Sequence, residues 1–185
     1  MNRTIAIIGV DGTGKSTLIN NLLNKLGNKI VTKYMGSVRF EDKRIAELET
    51  KGSLSYIEAI KLHLLTYKCF WERYRTAIRK DNIVLFDRYV HERYINAKGK
   101  YKILNTILYR LLFPKPSHVI YIYCSVETSL SRKNDILDPV AFKNMKTRFD
   151  KFFLNKKNYC INSDTHNIEE ITEIVCNYIY NLYEL

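Results

Sequence analysis

The chain has 185 residues, 46% of them hydrophobic and 26% charged, with a formal net charge of +11 from 30 Lys and Arg against 19 Asp and Glu. That length suits one domain burying most of its unfolded surface and leaves no room for a second large one, so a single domain over 1–185 is expected. No stretch approaches a membrane span, the first strand pattern begins within about four residues of the start, and four cysteines (69, 124, 160, 176) form no C-x-x-C pair; membrane, secreted and zinc-ribbon classes are set aside and a cytoplasmic protein is expected.

Thr4-Ile5-Ala6-Ile7-Ile8 is an apolar, β-branched run that predicts a buried strand. Gly9-Val10-Asp11-Gly12-Thr13-Gly14-Lys15-Ser16 follows, a match to G-x-x-x-x-G-K-[ST]. Glycines let the backbone curl so that several N–H groups meet phosphate oxygens at once, and the next helix adds its positive end. In that arrangement Lys15 reaches the β/γ-phosphates and the Ser16 hydroxyl ligates Mg²⁺. A glycine-rich turn with a solvated lysine is the plain alternative, and the strand before and helix after argue against it. The helix takes its apolar spacing from residues 18, 19, 22, 23 and 26 and ends at Gly27.

Lys29–Tyr34 predicts a second strand, turning at Met35-Gly36-Ser37 with Arg39 on or just after the turn. Ser55-Tyr56-Ile57-Glu58 is a capping box opening a helix to about Lys80, stopped by Asp81-Asn82. Ile83–Phe86 predicts a central parallel strand followed by Asp87-Arg88-Tyr89. Ligands gather at the carboxyl ends of parallel strands, so this triplet and the glycine-rich loop are expected together. There a carboxylate serves the water shell of Mg²⁺ and an arginine grips a phosphate. A helix over 100–112, a strand over His118–Tyr123, a Ser125-capped helix through Arg132, an Asp138-Pro139 helix start, a strand over Asn158–Asn162 and a last helix from near Asn167 complete the chain. Strand and helix alternate throughout, which predicts an α/β three-layer fold with a parallel sheet of about five strands flanked by helices on both faces. The four histidines (63, 91, 118, 166) have no metal or nucleophile spacing.

The loop, with aspartate at its third position, and the Asp87-Arg88-Tyr89 triplet resemble the thymidylate kinase family of P-loop nucleoside monophosphate kinases along nearly the whole chain. The resemblance implies ATP as phosphoryl donor, Mg²⁺ as cofactor, small-molecule nucleotides as partners and, by analogy alone, a homodimer. It implies nucleotide binding by Gly9, Asp11, Gly12, Thr13, Gly14, Lys15, Ser16 and Thr17, and metal binding by Ser16 and Asp87. Asp11, Arg39, Phe70, Arg73, Arg88 and Tyr89 are the implied acceptor set, and Lys15, Arg88 and Arg132 the catalytic cations. Because position 12 is glycine, the arginine some members carry there is replaced by Arg132, beside a short lid over about 132–139.

Several positions depart from the family. Ile8 stands where many members have an acid before the loop, and Val90-His91-Glu92-Arg93 replaces a run of small residues. Cys69 falls where an aromatic stacks on thymine, with Tyr67 or Phe70 as substitutes, and Tyr34–Arg39 lacks a proline. The leading expectation is γ-phosphate transfer from ATP to a nucleoside monophosphate, dTMP first. A deoxynucleoside kinase needs a base for a neutral hydroxyl, with Glu92 or Asp11 the candidates. A nucleic-acid-binding ATPase or end-kinase draws on residues 61–102, with eleven Lys or Arg against four acids. A GTPase switch is set aside, since Asp87-Arg88-Tyr89-Val90 lacks the glycine of D-x-x-G and no N-K-x-D occurs.

Overall fold

The computed structural model describes residues 3–39, 41–51, 53–79, 82–97, 102–133, 136–155 and 158–184. Every residue of β1 (Thr4–Ile8) is buried, as a continuous apolar run must be in a strand covered on both faces. It pairs in parallel with β3 (Ile83–Asp87) on one side and β4 (His118–Tyr123) on the other. Outside these lie β2 (Ile30–Tyr34) and β5 (Tyr159–Asn162), giving the order β2-β3-β1-β4-β5, all parallel. From β1 the chain first builds one side of the sheet and then the other, so the crevice beyond its carboxyl end lies at the switch point.

The side-chain alternation of the strands divides the core in two. Ile5, Ile7, Leu85, Ile120 and Ile122 meet α1 (Lys15–Leu26) and α8 (Ile168–Tyr183) on one face. Ala6, Ile8, Val84, Phe86 and Tyr121 meet α3 (Tyr56–Ala77) and α7 (Pro139–Phe153) on the other. The layered α/β arrangement expected from the alternation is thus present.

Three features depart from the expected elements. α2 (Lys43–Thr50), capped by the Asp42 side chain, and the five-residue α4 (His91–Ile95) fall where no helix was anticipated. Both are too short to set up a long apolar stripe. The expected helix over 100–112 is α5 (Lys102–Asn105) running into a π-helical turn over Thr106–Leu112; its first two residues, like Lys80, Asp81, Lys98 and lid residues 134 and 135, lie outside the described set. α6 (Val126–Arg132) begins on its Ser125 cap as expected. Cys124 and Cys176 are buried, Cys69 and Cys160 half-buried, and all four are free thiols. Among the described residues no helix is long and apolar enough to cross a membrane.

Candidate active site

The glycine-rich loop bridges β1 and α1, and its backbone shows why glycine is needed. Gly12 and Gly14 have φ of +82° and +89°, left-handed values that strain any residue with a Cβ. A Cβ at Gly9 would overlap the Ile122 carbonyl of β4. Gly14 is the N-cap of α1 and no side chain caps that terminus, so the first-turn N–H groups remain for an anion. Thr13 turns its hydroxyl inward to donate to the Val10 carbonyl at 2.9 Å.

A cavity of about 440 Å³ opens over the loop, lined by Asp11, Gly12, Gly14, Lys15, Ser16, Thr17, Tyr34, Asp87, Arg88, Arg132 and Lys133. Lys15 is 6% exposed and its ammonium donates to the Val10 carbonyl at 2.6 Å. Burial, with the Arg88 charge, pulls its pKa down to about 8 against the opposing pull of Asp11, Asp87 and Glu92. Arg88 reaches the cavity from a left-handed backbone with φ +64°, fixed by its N–H donating to the Ile7 carbonyl at 3.0 Å. One Nη donates to Asp11 and the other to Glu92 at 2.7 Å. Burial disfavours its charge, but Glu92 and Asp11 outweigh that and raise its pKa. Asp11 is pushed up by burial and pulled further down by Arg88 and Lys15, ending below the usual carboxylate range. Asp87 ends above it, because burial outweighs Lys15 and Arg88 and the Asp11 charge adds to the rise.

Two further cavities adjoin this one. On the β5 side Thr13, Gly14, Thr17, Arg132, Ser163, His166, Asn167, Ile168, Glu169 and Ile171 enclose about 420 Å³. Arg132 belongs to both cavities, donating to the Gly12 carbonyl at 3.4 Å, Ser163 Oγ at 3.2 Å and the Ser163 carbonyl at 3.1 Å. Beyond Asp11, a space of about 690 Å³ lies between Asn96, at the end of α4, and the first turns of α7. There Arg148 donates through Nε and Nη2 to Asn96 Oδ1 at 3.3 and 3.2 Å.

The remaining predicted acceptor residues lie elsewhere. Phe70 is 1% exposed, with Arg93 and Arg73 over its ring at 5.3 and 5.8 Å. Tyr89, also 1% exposed, donates to the Pro114 carbonyl at 2.8 Å. Arg73 is 8% exposed and committed to Glu41 Oε1 at 2.8 Å and to the carbonyls of Tyr34, Gly36 and Ser37 at 2.9–3.3 Å. Arg39 is exposed and lines none of these three cavities. Conversely, Tyr34, Lys133, Ser163 and His166 line the site although no motif marks them; their one sequence signal is their place at or just beyond the ends of β2, α6 and β5.

Magnesium chemistry fits the oxygen donors at the loop. Ser16 and Asp87 line the same cavity, and Mg²⁺ bound through one or two protein oxygens plus phosphates and water needs no more. Among the described residues no group of three or more His, Cys, Asp or Glu could hold a metal.

A parallel sheet with a glycine-rich phosphate loop after β1 and an Asp-Arg pair after β3 defines a P-loop nucleotide-binding fold of the kinase type. The thymidylate kinase family model matches residues 7–175, and the chain belongs to that family. Among solved structures it is similar to thymidylate kinase from Candida albicans (TM-score 0.71, 18% identity, 97% of this chain and 92% of that one). It is also similar to deoxyadenosine kinase from M. mycoides with dCMP and dCDP bound (0.68, 16%, 96% and 99%), and to thymidylate kinase from Ehrlichia chaffeensis (0.63, 19%, 96% and 98%). At these identities the likeness is one of fold. A curated relative, an uncharacterized ABC transporter ATP-binding protein/permease of Saccharomyces cerevisiae, is 32% identical over 87 residues; the match covers 45% of this chain and 7% of that protein.

Proposed function

We propose that the protein moves the γ-phosphate of ATP to a nucleoside monophosphate, with dTMP the leading acceptor. The observation that carries the reading is one cavity that brings Lys15 of the loop and Arg88, the residue after β3, together with Arg132, Lys133 and the oxygens of Ser16 and Asp87. Phosphate-to-phosphate transfer needs both partners held in line and their charge offset, which several cations on one cavity can do.

In this reading the loop N–H groups and Lys15 take the donor phosphates, and the donor base occupies the cavity beside Arg132 and Ile168. Arg88 takes the acceptor phosphate, and the acceptor nucleoside extends past Asp11 into the larger space beside Asn96 and Arg148. Bound Mg²⁺, held by Ser16 with Asp87 nearby, would offset negative charge on the donor phosphates. Lys15, Arg88 and Arg132 offset the charge spread over the transferring group. The acceptor oxygen is already anionic, so no general base is required. Asp11 and Glu92, the base candidates for a neutral hydroxyl in the deoxynucleoside kinase alternative, are both paired with Arg88. A short lid over about 132–139, a single kinase domain, a cytoplasmic location and a homodimer accompany the reading.

ADP release from ATP and Mg²⁺ across nucleoside monophosphates, free deoxynucleosides and 5′-hydroxyl DNA tests this. Turnover favouring dTMP, lost by at least a hundredfold in a folded Lys15→Ala variant, is the expected result. Turnover of a nucleoside or a DNA end alone would replace the acceptor assignment, and a fully active Lys15→Ala would remove the loop assignment.

A further inference from the structure

Tyr34 is the last residue of β2 and sits in register with Asp87 of β3, so it reaches the phosphate cavity from the same strand ends as Arg88. It is 46% exposed and lines that cavity together with the loop residues. Its phenol is held in place. The ring folds back over Gly36, where a Cβ would overlap its outer atoms, and its oxygen accepts from the Ser37 N–H at 3.3 Å. The Arg73 guanidinium stands 5.6 Å from the ring centroid and bonds the carbonyls of Tyr34, Gly36 and Ser37. Arg73 is therefore the clamp of the turn that holds Tyr34 at the edge of the site, near enough to Arg88 to act on its charge.

We propose that Tyr34 is an acceptor-positioning residue, whose hydroxyl donates to an oxygen of the acceptor's phosphate beside Arg88. This rests on the nucleoside monophosphate reading above. The chemistry favours it because Arg88 is already engaged: Asp11 and Glu92 share the guanidinium. An incoming phosphate must compete with those carboxylates for Arg88. A phenol brings a donor that carries no charge for Asp11, Asp87 or Glu92 to capture, and with its oxygen on Ser37 N–H its hydrogen is directed to a further acceptor. A hydrogen bond to an anionic oxygen is among the stronger kinds.

Steady-state kinetics with ATP and dTMP on the wild type, Tyr34→Phe and Gly36→Ala test the assignment. Tyr34→Phe keeps the ring against Gly36 and Arg73 and removes one donor; it should raise the KM for dTMP about tenfold, with kcat and the KM for ATP within about twofold. Gly36→Ala keeps the hydroxyl and displaces the ring, and should shift the same parameter in the same direction. Tyr34→Phe with the wild-type KM for dTMP, or with equal losses for ATP and dTMP, overturns the proposal while the kinase reading stands. Wild-type protein that turns over no nucleoside monophosphate removes that reading and the role of Tyr34 together.

Discussion

Lys15 is a cation that the fold has made reluctant to be one. Inside the loop it is nearly buried and rests on a carbonyl and a neighbouring hydroxyl, and burial brings its pKa down to about 8. A bound phosphate stabilises the charged form, so nucleotide binding raises that pKa and takes up protons. The sign is fixed: as pH rises through 8 the free loop loses its charge and affinity must fall. ADP should bind about tenfold more weakly at pH 9 than at pH 7, since the protonated fraction falls by about that factor. Isothermal titration calorimetry over that range measures it, and Lys15→Arg, whose guanidinium stays charged, should flatten the slope. A flat profile for the wild type would mean that Lys15 is not the titrating phosphate ligand. The loop's identity could be read from glycine spacing because two of its glycines occupy φ values that other residues avoid. Phe70, Tyr89 and Arg73 could not be placed that way. Whether an aromatic faces a ligand or the core, and whether an arginine meets phosphate or backbone carbonyls, depends on neighbours 30 or more residues away, such as Glu41 for Arg73 and Tyr109 for Phe70.

At the scale of elements, local rules succeed where a segment is long and capped. The Ser55 side chain accepts from the Glu58 N–H and the Glu58 carboxylate accepts from the Ser55 N–H, so the capping box marks the start of α3 where spacing places it. Ser55 lies well outside the cavities over the loop, so Ser55→Ala should lower stability by about 1 kcal/mol and leave the kinetic constants unchanged. Urea denaturation reads this as a lower midpoint at constant m; altered kinetics would mean that α3 relays strain to the site through Arg73. α4 escaped notice for the opposite reason. Its five residues give no periodicity, yet it carries Glu92, which holds Arg88. The π-helical turn at Thr106–Leu112 is likewise invisible to a 3.6-residue pattern, because the same side chains satisfy either hydrogen-bond ladder over so short a span.

For the molecule as a whole, the question is what a net charge of +11 is for. The excess within residues 61–102 fits a polyanion partner, but several of its cations are engaged within the fold. Lys68 faces Glu72 at 3.9 Å, Arg73 holds the 34–41 segment, Arg88 lies between Asp11 and Glu92, and Arg93 covers Phe70. The cations of this segment that are exposed, Lys61, Arg75, Arg79 and Lys102 among them, are distributed over α3, the turn after it and α5. A nucleic acid tracking six to ten phosphates would lose about 10³ to 10⁵ in affinity between 50 and 200 mM salt. A nucleotide in the cavity over the loop meets mainly local, partly buried charges that salt screens less. The kcat/KM for dTMP should therefore fall by only a few-fold over that range, the share owed to long-range attraction of an anion by a basic protein. Stimulation of ATP turnover by single-stranded DNA at 50 mM salt, collapsing at 200 mM while dTMP has no effect, would instead assign the basic segment to a nucleic acid and the cavity beyond Asp11 to a nucleotide at the end of a chain.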